Sequence, residues 1–321
     1  GIDETNTFVL TSSGFTPDFN PANSIQTDLA ELRQMPNVVN AVSTYSFPYS
    51  GGSEWDELQT IAGENQNQVP AARYDLDEHG IEALGLRLIA GNNFTPTEVI
   101  WQSDSENNIP SVAIITSSVA SHLFNTHEWS KVLGKTIYIN NIHPVIIKGI
   151  VQQLQAPWDP LGKINNSIIY PRVVTRNSSR YFIRTLPGQI EASIDDVVQQ
   201  LAGNNQQRMI RKVQTLASLK KQVYAPDFAA VSILLVVMCA LTIIAALGIA
   251  GTANLNVLKN YKQIGIRRAL GANKTDIFVH CLTENFIQTT AAVIIGCVLA
   301  LGLNIFLPLN IFPHFLGSPS I

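Results

Sequence analysis

Residues 228–253, FAAVSILLVVMCALTIIAALGIAGTA, contain no Asp, Glu, Lys or Arg. A helix needs about 20 apolar residues to cross a bilayer core. Helices inside soluble domains usually keep a polar stripe, and this run has none. It therefore predicts a membrane-spanning helix. A second uncharged run, 286–307, carries Gln288, Thr289, Thr290 and Asn304, which would rather meet another helix than lipid. Ala246 and Ala250, and then Ala292, Gly296 and Ala300, recur at four-residue spacing that lets helix backbones approach closely.

The apolar runs split the chain into two materials. Residues 1–227 hold 16 basic and 22 acidic side chains, a net of −6, whereas 228–321 hold 5 and 2, a net of +3. A mildly acidic, soluble portion thus precedes a hydrophobic one, and nothing in this balance suits nucleic acid. Cys239, Cys281 and Cys297 all lie in the second portion, so the first has no disulfide to lean on and must bury an ordinary core. The opening residues carry no signal-peptide pattern, so export of the first portion implies a membrane segment ahead of Gly1.

The five basic residues of the second portion, Lys259, Lys262, Arg267, Arg268 and Lys274, all sit between the two apolar runs, and residues 308–321 have none. A two-helix hairpin with that asymmetry puts the connecting segment in the cytoplasm and the first portion outside. Arg208, Arg211, Lys212, Lys220 and Lys221 precede the first run, but they belong to a long domain, which translocates largely regardless of charge.

The outer portion mixes two periodicities. Stretches 38–47, 111–116, 135–139, 144–151, 166–171 and 180–185 are rich in Val, Ile, Tyr and Thr and predict strands, whereas 24–35, 117–124 and 193–203 predict helices. Thr116 and Ser117 are candidate caps for the second helix, and Gly203 ends the third. Interleaving of this kind favours α/β layers over an all-β sandwich. Residues 1–205 read as the outer core domain with an inserted subdomain over about 65–165, and the polar stretch 206–227 reads as a stalk.

Signals for catalysis are weak. Gly134, Lys135 and Thr136 resemble the end of a phosphate loop, but Trp129 occupies the position of its first glycine. The six histidines lack HExxH spacing, and His122 and His127 miss a helical i, i+4 pair by one residue. Asp75 to His79, DLDEH, reads as a solvated turn rather than a cation loop. No Gly-x-Ser-x-Gly occurs. The chain is expected not to be an enzyme itself.

Within the basic segment, Ile264, Ile266 and Leu270 recur near helical spacing beside Arg267 and Arg268, which predicts a short amphipathic helix able to dock in a partner's groove. The longer stretch KQIGIRRALGANKTDIFVHCLTEN, 262–285, resembles the signature of MacB/FtsX-type permeases of ABC transporters, although Gln263 stands where many members have Glu. LGLRLIAGNNF, VAIITSSVASHLF and GKTIYINNIHPVIIKGIV are similar, in order, to pieces of that family's periplasmic core domain.

The resemblance implies an α+β periplasmic domain of two interleaved α/β subdomains on a stalk, plus transmembrane helices at 228–254 and 286–307, where the family has four. It implies a cytoplasmic coupling loop over 255–285 and a periplasmic tail over 308–321. Lys262, Gln263, Ile264, Gly265, Ile266, Arg267, Arg268, Ala269, Leu270, Gly271 and Ala272 are the residues it assigns to ATPase coupling. Expected partners are a separate cytoplasmic ABC ATPase dimer, a second permease copy or paralogue, a periplasmic adaptor and an outer-membrane duct. The chain itself is expected to need no cofactor, with ATP and magnesium on the ATPase. The implied location is the bacterial inner membrane, multi-pass. The function implied is an export or extraction machine driven by ATP; the alternative is a non-transporting signalling permease that activates a periplasmic partner.

Overall fold

A computed structural model describes residues 2–63, 68–106, 108–157, 164–259, 261–262, 265–266 and 274–306. The chain divides into two units, Gly1–Ala225 and Pro226–Ile321. The first unit runs β1 (Thr7–Gly14), α1 (Pro21–Leu32), β2 (Val38–Ser43), β3 (Trp55–Gln59), β4 (Val69–Leu76), α2 (Gly80–Ala83), β5 (Leu88–Gly91), β6 (Ile100–Ser103) and β7 (Val112–Thr116). It continues through α3 (Ser117–Phe124), β8 (Thr136–Ile139), β9 (His143–Val151), β10 (Ser167–Thr175), β11 (Ser178–Thr185), α4 (Ile190–Asn204) and β12 (Arg208–Thr215). Helix α5 (Leu216–Lys259) begins there and continues into the second unit, which also holds α6 (Lys274–Phe306).

One sheet has the order β12-β1-β11-β2, antiparallel throughout. With α1 and α4 as connections, these four strands make the split βαβ arrangement, opened between β2 and β11 to admit everything else. Both faces are covered. Phe8, Leu10, Ala41, Tyr181 and Ile183 join Ile25, Leu29 and Leu32 of α1 and Val197 and Leu201 of α4. The alternate residues Val9, Val42 and Phe182 join Leu76, Ala83, Leu84 and Leu86. A strand buried on both faces needs a continuous apolar run, which is why β1 and β11 read FVL and YFI.

The stretch between β2 and β11 supplies β3 to β10, so the inserted part begins before residue 65 and ends beyond 165, because β3 pairs with β4 and β10 closes on β4. The order β4-β3-β8-β9-β7-β10 closes on itself through a β4–β10 pairing, making a six-stranded ring with β5 added on β9. Ala113 and Ile115, Ile137 and Ile139, Val145 and Ile147, and Ile168 and Tyr170 line one cluster, while the intervening Ile114 and Ile169 join the core shared with the first sheet. Period-two alternation thus assigns β7 and β10 to two cores at once. Strand β10 changes partners midway: Ser167–Pro171 pair with β4, and Arg172–Thr175 with β6.

Two expectations change here. Residues 208–215, read as stalk, form β12, an edge strand whose exposed Arg211 and Lys212 made it look like a solvated connector. Charged edge strands resist adding further strands. Thr116 precedes α3 but makes no side-chain cap; its hydroxyl donates to the Asn165 carbonyl (2.9 Å) and accepts from the Ser167 amide (3.3 Å), tying β7 to β10.

In the second unit, the apolar run lies within a helix that is long and apolar enough to cross a membrane, Leu216–Thr252, and none of its apolar window is buried. The helix runs past 254 to Lys259, since NLNVLK contains no breaker. Helix α6 has 33 residues, of which Thr289–Leu299 form a shorter apolar stretch.

Candidate functional site

Of the residues assigned to coupling, Lys262, Gly265 and Ile266 are helical and exposed. Gln263, Ile264, Arg267, Arg268, Ala269, Leu270, Gly271 and Ala272 lie outside the described residues, as does the tail 308–321. The described parts of 255–285 are helical, 255–259 belonging to α5 and 274–285 to α6. Ile266 is 61% exposed and Tyr261 74%, so both offer apolar surface beside Lys262.

In the outer unit, ionisable groups concentrate where β4 meets β10. Arg172 is fully buried; its Nε donates to Asp75 Oδ1 at 2.8 Å, Nη2 stands 2.6 Å from the same oxygen, and Nη1 donates to the Asn108 carbonyl at 3.2 Å. Its guanidinium lies 5.6 Å from the Tyr170 ring centroid, and the Tyr170 hydroxyl donates to Asp56 Oδ2 at 2.9 Å. Arg73 pairs with Glu54 and lies 4.0 Å from Asp56 and 3.8 Å from Asp75. Three carboxylates therefore face two guanidiniums.

Burial dominates the protonation of this cluster. It pushes the Asp56 carboxyl up, more than hydrogen bonds from Tyr170 and Asn140 pull it down. Asp75 is likewise raised by burial, offset in part by Arg172 and Arg73. Arg73 is lowered by burial against the pull of Asp75. A polar groove of about 280 Å³ opens over the cluster between Glu54, Arg73, Asp104, Arg172 and Arg176.

Sequence reasoning missed this cluster and misread its centre. DLDEH is no solvated turn: Asp75 is the ion-pair partner of Arg172, and Asp77 is buried against Arg33, whose Nε donates to the Ala41 carbonyl. The available signal was period-two alternation in ARYDL, which places Arg73 and Asp75 on one face of β4 and Tyr74 and Leu76 on the other. Gly134, with φ 75°, turns the chain into strand β8 rather than into the helix a phosphate loop requires, and Lys135 rests over the Phe124 ring. His122 and His127 are exposed, and among the described residues no group of three His, Cys, Asp or Glu gathers as metal ligands.

Residues 2–219 match the MacB-like periplasmic core domain, and residues 227–320 match the FtsX-like permease C-terminal region. The chain belongs to the MacB/FtsX-type ABC permeases. This permease is a membrane protein with a periplasmic region, the ring and split sheet of Gly1–Ala225 falling within the core-domain match. It is 24% identical over 236 residues to the macrolide export ATP-binding/permease protein MacB of Burkholderia thailandensis, covering 71% of this chain and 34% of that one. It is 27% identical over 222 residues to the pyoverdine export ATP-binding/permease protein PvdT of Pseudomonas syringae, covering 64% and 32%. The permease therefore spans about a third of the length of these relatives. A crystal structure of the periplasmic region of MacB from Actinobacillus actinomycetemcomitans aligns with a TM-score of 0.39 at 18% identity, covering 68% of this chain and 93% of that one.

Proposed function

We propose that this permease is the membrane component of an ABC-type export or extraction machine, in which ATP hydrolysis on a cytoplasmic ABC ATPase moves the periplasmic domain. The observation that carries this reading is the order of parts on one chain. A MacB-like core domain over 2–219 leads into the apolar helix Leu216–Thr252 and then an FtsX-like region containing the basic segment. The names of its relatives join ATP binding, a permease and export in one protein.

In this reading α6 is a second membrane span, its apolar centre at Thr289–Leu299 packed against α5 or against a partner helix through Ala292 and Gly296. The segment from Lys262 to Ala272 faces the cytoplasm and docks on the ATPase, Ile264, Ile266 and Leu270 filling a groove and Arg267 and Arg268 pairing with acids at its rim. ATP and magnesium reside on the ATPase. Two permease chains pair, and the periplasmic domain passes cargo toward an adaptor and an outer-membrane duct. A helix spanning the boundary transmits displacement, where a flexible linker would dissipate it.

Arg267→Glu combined with Arg268→Glu should reduce recovery of the ABC ATPase with the detergent-solubilised permease by about tenfold or more, with the outer domain still folded. Undiminished recovery of the ATPase would remove the docking role of the segment.

A further inference from the structure

The foot of α5 is pinned to the outer domain by more than chain connectivity. Leu216 is fully buried, and Leu219 and Tyr224 pack on the same core cluster, so one stripe of the first turns faces inward. Beside that stripe the contacts become ionic. Lys220 Nζ donates to Glu4 Oε2 at 2.8 Å, and the Tyr49 hydroxyl donates to Glu4 Oε1 at 2.6 Å. One carboxylate thus joins the segment before β1, the loop after β2 and the foot of α5.

The surrounding geometry fixes each member. Asp3 Oδ1 accepts from the amides of Thr5 and Asn6, both at 3.2 Å, which sets the backbone that presents Glu4. Lys220 Nζ lies 5.9 Å from the Tyr49 ring centroid, and Tyr224 meets that ring edge-on at 6.1 Å. Tyr49 itself has φ 68°, a conformation a bulky residue keeps only when its neighbours hold it there. Glu4 and Tyr49 line a pocket of about 110 Å³ together with Ile2, Pro48, Gln153 and Leu216, and the Tyr49 side chain is otherwise buried in the core cluster.

We infer that Glu4, Tyr49 and Lys220 are positioning residues that clasp the foot of α5 to the periplasmic domain, so that displacement of the helix moves both sheets together. This rests on the coupling proposed above. Glu4 and Lys220 are partly exposed, and an exposed ion pair by itself contributes little stability. The clasp therefore sets where the helix foot rests and leaves the fold standing without it.

The test uses the full permease with its ATPase and reads amide hydrogen exchange. Glu4→Gln, Tyr49→Phe and Lys220→Met should each speed exchange across 217–225 by roughly fivefold while β1 and β11 stay protected. Glu4→Lys combined with Lys220→Glu should restore slow exchange, a rescue that loss of packing would not show. In the wild type, ATP should change exchange in the outer sheets, and the three single variants should lose most of that response. Unchanged exchange at the foot, failed rescue by the swapped pair, or an ATP response retained in all three variants would overturn the clasp. A wild type without any ATP response would refute the coupling itself, and the clasp's role in it, whatever the foot does.

Discussion

Arg208 shows how a residue that reads as surface can be the centre of a core. Its side chain has no exposed surface; it pairs with Asp28, donates to Ser24 Oγ at 3.2 Å and reaches the Leu201 carbonyl through Nε and Nη2. The Tyr181 hydroxyl donates to the same Asp28 carboxylate at 2.5 Å. Every polar partner is satisfied, so removing one strands a buried charge. Arg208→Ala should destabilise the outer unit by about 3–5 kcal/mol, measured by urea unfolding, and Asp28→Leu with Arg208→Met should recover most of that loss. Glu98 carries a prediction about pH. Burial raises its carboxyl, but hydrogen bonds from Lys148 Nζ (2.7 Å) and from the Thr95 amide and hydroxyl, together with the Lys148 charge, outweigh burial and leave it below the ordinary glutamate value. The folded state then binds fewer protons than the unfolded one in that window. Its stabilising contribution is complete above the unfolded value and lost as pH falls through the lowered folded value. The gap in melting temperature between wild type and Glu98→Gln should therefore close on acidification. Asp56 and Asp75, raised by burial, act with the opposite sign, costing stability as pH rises from the ordinary aspartate value through their folded values.

Among elements, helices were the easier to read. The start of α1 is written in Asn20 and Pro21, since Asn20 Oδ1 accepts the Asn23 amide at 3.1 Å and Pro21 needs no donor at the first helical position. Thr116 carried the same kind of cue and used it differently, because its hydroxyl finds Asn165 and Ser167 across the sheet before it can reach its own helix. Thr116→Val should thus lower stability by about 1–3 kcal/mol, because the buried Ser167 amide loses this acceptor. Helical circular dichroism of the folded variant should match the wild type; loss of helix instead would mean that Thr116 caps α3 after all. Strands were harder. β12 is polar because it is an edge, and β3 and β6 are short, so neither alternation nor apolar content marks them. The partners of β12 and β6 lie far away in sequence, and no local propensity names them.

At the scale of the whole molecule, the two units make different demands on solvent. Gly1–Ala225 buries three apolar clusters, whereas the side chains of the apolar window of α5 are uniformly exposed. Residues 1–225 expressed alone should be soluble without detergent and melt cooperatively. Residues 226–321 should be recovered only with detergent or lipid. Precipitation of the isolated outer unit with no cooperative transition would show that its fold depends on the remainder of the chain.

The amino-acid sequence by itself determined which run is long and apolar enough to cross a membrane, where the positive charge gathers, and to which family the chain belongs, because hydropathy, charge and the signature at 262–285 are properties of contiguous residues. Only the tertiary structure decided that β4 and β10 close a ring, that Asp75 meets Arg172, and that Glu4 reaches Lys220. These are contacts between segments distant along the chain. Alternation tells a strand which face to bury, but the partner on that face is chosen by packing the whole domain at once.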